Sequence, residues 1–176
     1  QNKTVPLLIL KDGEIIEESL DIILWTLSNS KKSDLKKYFP NNLKEEILNI
    51  IRENDQEFKF HLDRFKYASR FDEKDKEYHF YAAQNIIKNW NFLLKDNPKR
   101  NFWLVGENET IADWCIWPFV RQFKIACEHQ KIDNHFDDSM IRWLNYFETN
   151  NNYKDVMNKY EIWNQSSKVS YFPLNI

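Results

Sequence analysis

Glycine, cysteine and proline are scarce in this sequence, which has two glycines, two cysteines and five prolines among 176 residues. So little glycine and proline excludes collagen-like and low-complexity chains, and it predicts long helices with few tight turns. Cys115 and Cys127 would lie about 18 Å apart on one helix, too far for a disulfide bond. We therefore expect a reduced, cytoplasmic protein whose two cysteines are small core residues.

The sequence also lacks a strong charge excess and a long apolar run. Its net charge is −2, so charge provides no overall attraction to nucleic acids or acidic membranes. No apolar segment approaches the roughly 20 residues that span a bilayer, and no signal peptide is visible. The histidines share no metal-ligand spacing, so we predict no metal site from His61, His79, His129 and His135.

The first 28 residues have the pattern of a hairpin followed by a helix. Val5 to Leu10 is continuously apolar, Asp12-Gly13 is a strong hairpin-turn signal, and Glu14 to Glu17 is the returning strand. Ser19 can cap the helix that follows, whose apolar residues have helical spacing: Leu20, Ile23, Leu24 and Leu27. Two strands and one helix cannot bury both faces of a sheet, so this unit needs further chain.

Everything after a polar linker at 29–41 has helical patterning. We expect one helical turn in this linker, near Asp34 to Tyr38, and an all-helical region over 42–176. Its first apolar stripe is interrupted at Asn54 and Asp55, and it comprises Leu43, Ile47, Ile50, Ile51, Phe58, Leu62 and Phe65. Further helices are predicted around Tyr78 to Leu93, Met140 to Phe147 and Tyr153 to Tyr160, and Pro98 ends the second helical region.

A capped and unusually apolar helix begins at Thr110. Thr110 and Asp113 have the spacing of a capping box, in which the hydroxyl and the carboxylate each accept a backbone N–H. Apolar residues surround this helix on most sides, which predicts a central, buried position. The cap explains Asp113 without ligand chemistry, so we expect a structural role for it.

The order of these elements resembles the glutathione transferase family. The segment VPLLILKDGEIIEES is similar to the family's strand, turn, strand and helix start, and TIADWCIWPFVRQF is similar to the capped central helix of its C-terminal domain. NDQEFKFHLDRFKYASRF resembles a bacterial branch of the family. The similarity runs from about Thr4 to Trp163. It implies a two-domain fold, with a partial thioredoxin-like α/β unit at 1–28, the linker at 29–41 and an all-α domain at 42–176.

The sequence departs from the family pattern at its beginning. The first strand, helix and second strand of the thioredoxin-like domain have no counterpart here, and in the family they carry the Tyr, Ser or Cys that contacts the glutathione sulfur. No catalytic residue is therefore assigned.

The resemblance implies a glutathione site at the hairpin. The family's Val-Pro bond is cis, which implies that the main chain of Val5, next to Pro6, pairs with the ligand as an added strand. Without the resemblance, an ordinary trans edge-strand proline is the simpler interpretation. Ser19 would hold the γ-glutamyl carboxylate at the helix start, and Glu18 would attract the ammonium group. Lys3 would reach the glycine carboxylate. On local pattern alone, Glu18-Ser19 is a surface acid followed by a helix cap.

A second substrate is expected between the two domains, against Phe58, Trp114 or Trp117. Asn54, Asp55, Lys59, Asp63 and Arg64 form either a solvated helix face or a polar patch that faces the cleft or a dimer partner. The i,i+4 pairs Asp55–Lys59 and Lys59–Asp63 fit both interpretations.

The leading hypothesis is a transferase that conjugates glutathione to a small electrophile, or exchanges its thiol with a disulfide. The alternative is a non-catalytic interaction or scaffold domain of the same fold, because fold does not fix function. A glutathione-dependent peroxidase or isomerase is a third hypothesis. Family members are commonly two-fold dimers, so the resemblance also implies a homodimer.

Overall fold

The computed structural model describes most of the chain, namely residues 5–31, 33–95, 102–157, 159, 161–162 and 164–168. Within these residues the chain forms one small hairpin followed by helices. No helix in these ranges is long and apolar enough to cross a membrane.

The hairpin forms where the turn signal predicts it. Strands β1 (Leu8–Ile9) and β2 (Ile15–Ile16) pair antiparallel, with Leu8 opposite Ile16 and Ile9 opposite Ile15. Gly13 has a φ of +92°, a left-handed conformation that glycine adopts readily, and the Asp12 carboxylate accepts a hydrogen bond from the Glu14 N–H at 3.1 Å. Both strands are shorter than predicted: β1 covers two of the six residues from Val5 to Leu10, and β2 covers two of the four residues from Glu14 to Glu17.

Helix α1 (Ser19–Asn29) begins one position earlier than the sequence predicts. Glu18 is the N-cap residue, with an extended backbone, and its carbonyl accepts the first helical bond from the Ile22 N–H at 3.0 Å. The prediction that Ser19 caps α1 is therefore wrong, because Ser19 is the first helical residue. No side chain of α1 is fully buried, although one face packs partly on the helical core through Leu20, Ile23, Leu24 and Leu27.

The linker contains short 3₁₀ turns at Ser33–Tyr38 and Asn41–Leu43, which confirms the predicted helical turn. Helix α2 (Lys44–Glu53) then continues through one π-helical turn, Asn54–Phe58, into α3 (Lys59–Lys66). The polar interruption in the apolar stripe is therefore a π-turn. Asn54 and Phe58 are four residues apart, lie on the same face of the helix and are both buried.

The remaining helices are α4 (Lys76–Lys95), α5 (Ile111–Gln130), α6 (Asp138–Thr149) and α7 (Asn151–Val156). Helix α7 ends before the predicted boundary, and Pro98 and Tyr160 lie outside the described residues. The expectation of a buried central helix is confirmed, because nine side chains of α5 are buried, among them Ile116, Val120 and Phe123. Around α5 the core includes Phe58, Phe65, Trp90, Trp143 and Phe147.

Candidate functional site

Four of the five residues expected to bind glutathione gather at one end of the hairpin. Val5-Pro6 precedes β1 and Glu18-Ser19 follows β2, so the antiparallel register brings both pairs to the end opposite the Asp12-Gly13 turn. All four residues are exposed, and Val5 retains 89% of its accessible surface. The Val5–Pro6 peptide bond is cis, as the family resemblance implied. Lys3 lies outside the described residues.

The start of α1 is electrostatically suited to an anion. The first N–H groups of an α-helix have no partner within the helix, and the helix dipole places partial positive charge there. The Glu18 side chain does not cap them, and the Ser19 hydroxyl is exposed beside them. The adjacent Glu18 carboxylate is also exposed, so the end of the hairpin offers contacts for an anionic and a cationic group next to each other.

Two of the three aromatic residues expected to contact a second substrate are core residues. Phe58 has no exposed surface, and its ring lies 4.9 Å from the Trp90 ring, centroid to centroid. Trp117 is 6% exposed and stacks on Phe147 at 5.5 Å. These two side chains therefore fill the helical core and do not line a cleft. Trp114 is half-buried and remains a candidate contact.

The polar interruption forms a corner between α2, α3 and α5, which we call the π-turn corner (Asn54, Asp55, Lys59, Cys115 and Phe119). The Lys59 ammonium contacts the Asp55 carboxylate at 3.3 Å and lies 4.8 Å from the centre of the Phe119 ring. Asn54 is fully buried, donates to Asp55 at 3.0 Å, and has no described partner for its own Oδ1. A buried carbonyl oxygen without a donor is costly, so this corner is suited to accept a hydrogen bond from a bound molecule or water.

The two cysteines are free, and neither is poised as a nucleophile. Burial raises the pKa of the Cys115 thiol to about 12, with a further contribution from the Asp55 and Asp113 carboxylates. Burial likewise raises the pKa of Cys127 to about 12. Because the thiolate is the reactive form, both groups remain unreactive thiols at neutral pH.

Asp113 joins three parts of the helical region. Its carboxylate accepts hydrogen bonds from the Thr110 N–H at 2.9 Å, the Leu104 N–H at 2.9 Å and the Trp143 indole N–H at 3.0 Å. The capping box with Thr110 is present, which confirms that prediction. Burial raises the pKa of Asp113 to about 6, while these hydrogen bonds act in the opposite direction. The links to Leu104 and Trp143 were not predicted, since no sequence pattern connects these positions.

Two open cavities lie away from the hairpin end. One of about 550 Å³ lies between the C-terminal half of α1 and the linker, beside Leu27, Phe39 and Lys44. The other, of about 370 Å³, lies beside Phe65, Phe80 and Ile132. Neither contains a residue that the sequence assigned to a ligand. Among the described residues, no three histidine, cysteine or acidic side chains gather as metal ligands.

A comparison with solved structures supports the fold. The chain is similar to a crystal structure of a glutathione S-transferase from Xanthobacter autotrophicus Py2, with a TM-score of 0.61 and 16% sequence identity. The similarity covers 84% of this chain and 69% of that chain. No protein-family model and no curated protein matches the sequence. The chain therefore has a glutathione-transferase-like fold, with a small two-stranded unit at its N-terminal end.

Proposed function

We propose that this protein binds glutathione and uses it in a transfer reaction. The observation that carries the proposal is the open end of the hairpin, where the exposed main chain of Val5 and the exposed start of α1 lie together. The similarity of the fold to a glutathione S-transferase gives this arrangement its interpretation.

In the proposed complex, the cysteinyl part of glutathione pairs with the N–H and C=O of Val5 as an added strand. The γ-glutamyl carboxylate accepts hydrogen bonds from the Ser19 hydroxyl and the first N–H groups of α1. The Glu18 carboxylate contacts the γ-glutamyl ammonium, and Lys3 contacts the glycine carboxylate. Each charged group of the tripeptide then has a hydrogen-bond donor or a group of opposite charge as its partner.

The proposed reaction joins the glutathione thiolate to a small electrophile, or exchanges it with a disulfide. A thiol of ordinary pKa needs a hydrogen bond or a positive field at sulfur to become the reactive thiolate. Neither Cys115 nor Cys127 takes part, because both thiols stay protonated. The second substrate would contact Trp114 or the π-turn corner. We further propose that the protein acts as a homodimer in the cytoplasm.

The decisive variant is Ser19→Pro. Proline is well tolerated at the first helical position, and Glu18 before it already has the extended backbone that a following proline requires. The substitution removes both the hydroxyl and the N–H of residue 19 while keeping α1. We expect glutathione affinity, measured by isothermal titration calorimetry, to fall at least about tenfold, because each lost hydrogen bond to a charged group is worth about 1.5–3 kcal/mol. Glu18→Gln should weaken binding by a smaller factor.

The matched control is Glu14→Gln, the same change of charge at the turn end of the hairpin. It should leave the affinity unchanged. If the wild-type chain is folded by circular dichroism yet is not retained on immobilised glutathione and gives no binding heat, the proposal is wrong. The alternative, a non-catalytic interaction domain, would then be favoured.

A further inference from the structure

Two histidines that are far apart in sequence meet between α3 and α4. The Nδ1 atoms of His61 and His79 are 2.8 Å apart. Their ring centroids are 5.1 Å apart. This distance is about the nitrogen–nitrogen distance plus one ring radius for each imidazole, so the two nitrogens lie close to the line that joins the ring centres. The two nitrogens therefore point at each other, as in a direct N–H···N hydrogen bond. If the two imidazoles bound one metal ion, their nitrogen lone pairs would instead both point at that ion.

Two aromatic rings contact this pair at their edges. The Phe60 ring makes edge contacts with His61 at 5.1 Å and His79 at 5.7 Å, and the Tyr78 ring lies 5.8 Å from His61. His79 is 8% exposed. The histidine contact therefore lies in a partly dry environment, where an added charge is poorly solvated.

The contact tolerates one extra proton but not two. In the neutral pair, one imidazole donates from Nδ1 and the other accepts, and either can take the donor role. A proton added to Nε2 of the donor leaves this bond intact. A second proton must occupy the accepting Nδ1, which leaves two N–H groups facing each other at 2.8 Å.

We propose that the His61–His79 contact is a pH-sensitive link between α3 and α4, closed at neutral pH and opened when both imidazoles are protonated. Phe65, one turn beyond His61 in α3, and Phe80, the residue after His79 in α4, join the same two helices with their rings 5.2 Å apart. The histidine contact therefore lies beside buried aromatic rings that pack between α3 and α4. This device is independent of glutathione binding.

The surrounding charges favour the neutral pair. Burial lowers the pKa of His61, and the His79 and Arg64 charges lower it further, whereas Glu57 raises it. Burial also lowers the pKa of His79, Arg64 acts in the same direction, and Asp75 opposes them. A histidine whose pKa is lowered on folding binds protons more readily when unfolded. Folding stability is therefore complete above about pH 6.5 and falls as the pH decreases below it.

The test compares the wild-type chain with His61→Asn, His79→Asn and the double variant between pH 5 and pH 7. An asparagine amide lies near the Nδ1 position and does not titrate in this range. The control is His129→Asn, which removes an exposed histidine at the end of α5. Stability is measured by urea unfolding, followed by tryptophan fluorescence.

When the pH is lowered from 7 to 5, we expect the folded-to-unfolded ratio to fall for every protein. The fall should be about fivefold larger for the wild type and the control than for the double variant. That factor corresponds to one hydrogen bond. Equal pH dependence in all the proteins would overturn the proposal. If the variants do not fold, NMR titration of the wild-type imidazoles decides. Coupled titration of His61 and His79 below the ordinary histidine range supports the link, and independent titration near the ordinary pKa rejects it.

Discussion

The hairpin and α1, at 5–29, and the helical region, at 44–149, differ sharply in burial. Among the described residues, every buried hydrophobic side chain lies between Ile47 and Phe147, and α1 contributes none. Ile9 and Ile15 of the hairpin are 60% and 48% exposed. A two-stranded ladder cannot bury both of its faces, whereas helices packed around α5 can enclose aromatic rings completely.

The helical region stabilises the fold, whereas the hairpin region presents accessible groups that a ligand can contact. The proposed ligand contacts lie in the hairpin region, where main-chain groups are accessible. Local unfolding of this region would expose little additional apolar surface. The helical region has the opposite character, with hydrogen bonds such as those of Asp113 fully enclosed. Equivalent substitutions in the two regions should therefore have very different consequences.

The largest difference is expected for removal of an apolar side chain. Phe58→Ala should destabilise the protein by about 3–5 kcal/mol, because it leaves a cavity beside Trp90 and Phe123. Ile9→Ala should cost less than about 1 kcal/mol, because that side chain is already largely in water. Urea unfolding measures both values. Similar decreases in the free energy of unfolding for the two variants would show that Ile9 contributes to stability as much as a core residue does.

A smaller but still large difference is expected for two aspartates. Asp113→Ala leaves the buried donors of Leu104, Thr110 and Trp143 without their acceptor, and should cost about 3 kcal/mol. Asp12→Ala removes one exposed bond to the Glu14 N–H and should cost about 0.5 kcal/mol.

Thermal unfolding followed by circular dichroism distinguishes the two aspartate variants. The midpoint should fall by roughly 6–12 °C for Asp113→Ala and by roughly 1–2 °C for Asp12→Ala. An unchanged midpoint for Asp113→Ala would contradict its structural role.

The smallest difference is expected for the two glycines, which both have positive φ. Gly106→Ala should cost about 2 kcal/mol, since a Cβ there would lie 2.6 Å from Leu43 Cδ1 in addition to the backbone strain. Gly13→Ala meets no atom within 4 Å and should cost about 1 kcal/mol from backbone strain alone. Chemical denaturation of the two variants side by side tests this order. A larger loss at Gly13 would reverse the interpretation of the hairpin as the looser region.

Elements with a local cause were predictable from sequence. The Asp12-Gly13 turn, the Thr110–Asp113 capping box and the buried character of α5 each follow from residues close together in the chain. The hairpin residues assigned to glutathione also gather at one end, because turn position and strand pairing determine which residues are neighbours. Glutathione binding itself remains a proposal that rests on the resemblance and on this geometry.

Features that depend on packing were not predictable. The break at Asn54 and Asp55 was visible in the sequence, but neither the π-turn there nor the full burial of Asn54 was predicted. Trp117 resembled a cleft residue because apolarity alone does not distinguish a core from a pocket. The N-cap of α1 is Glu18 and not Ser19, because the extended backbone after β2 ends one residue earlier than predicted.

The sequence by itself determined where the chain turns, where its helices begin to within about two residues, and which helix is central, because these depend on short-range hydrogen bonding and apolar periodicity. The tertiary structure alone decided that His61 meets His79 and that Asp113 reaches Trp143. These contacts join residues 18 or more positions apart, and their formation depends on how the helices pack in three dimensions.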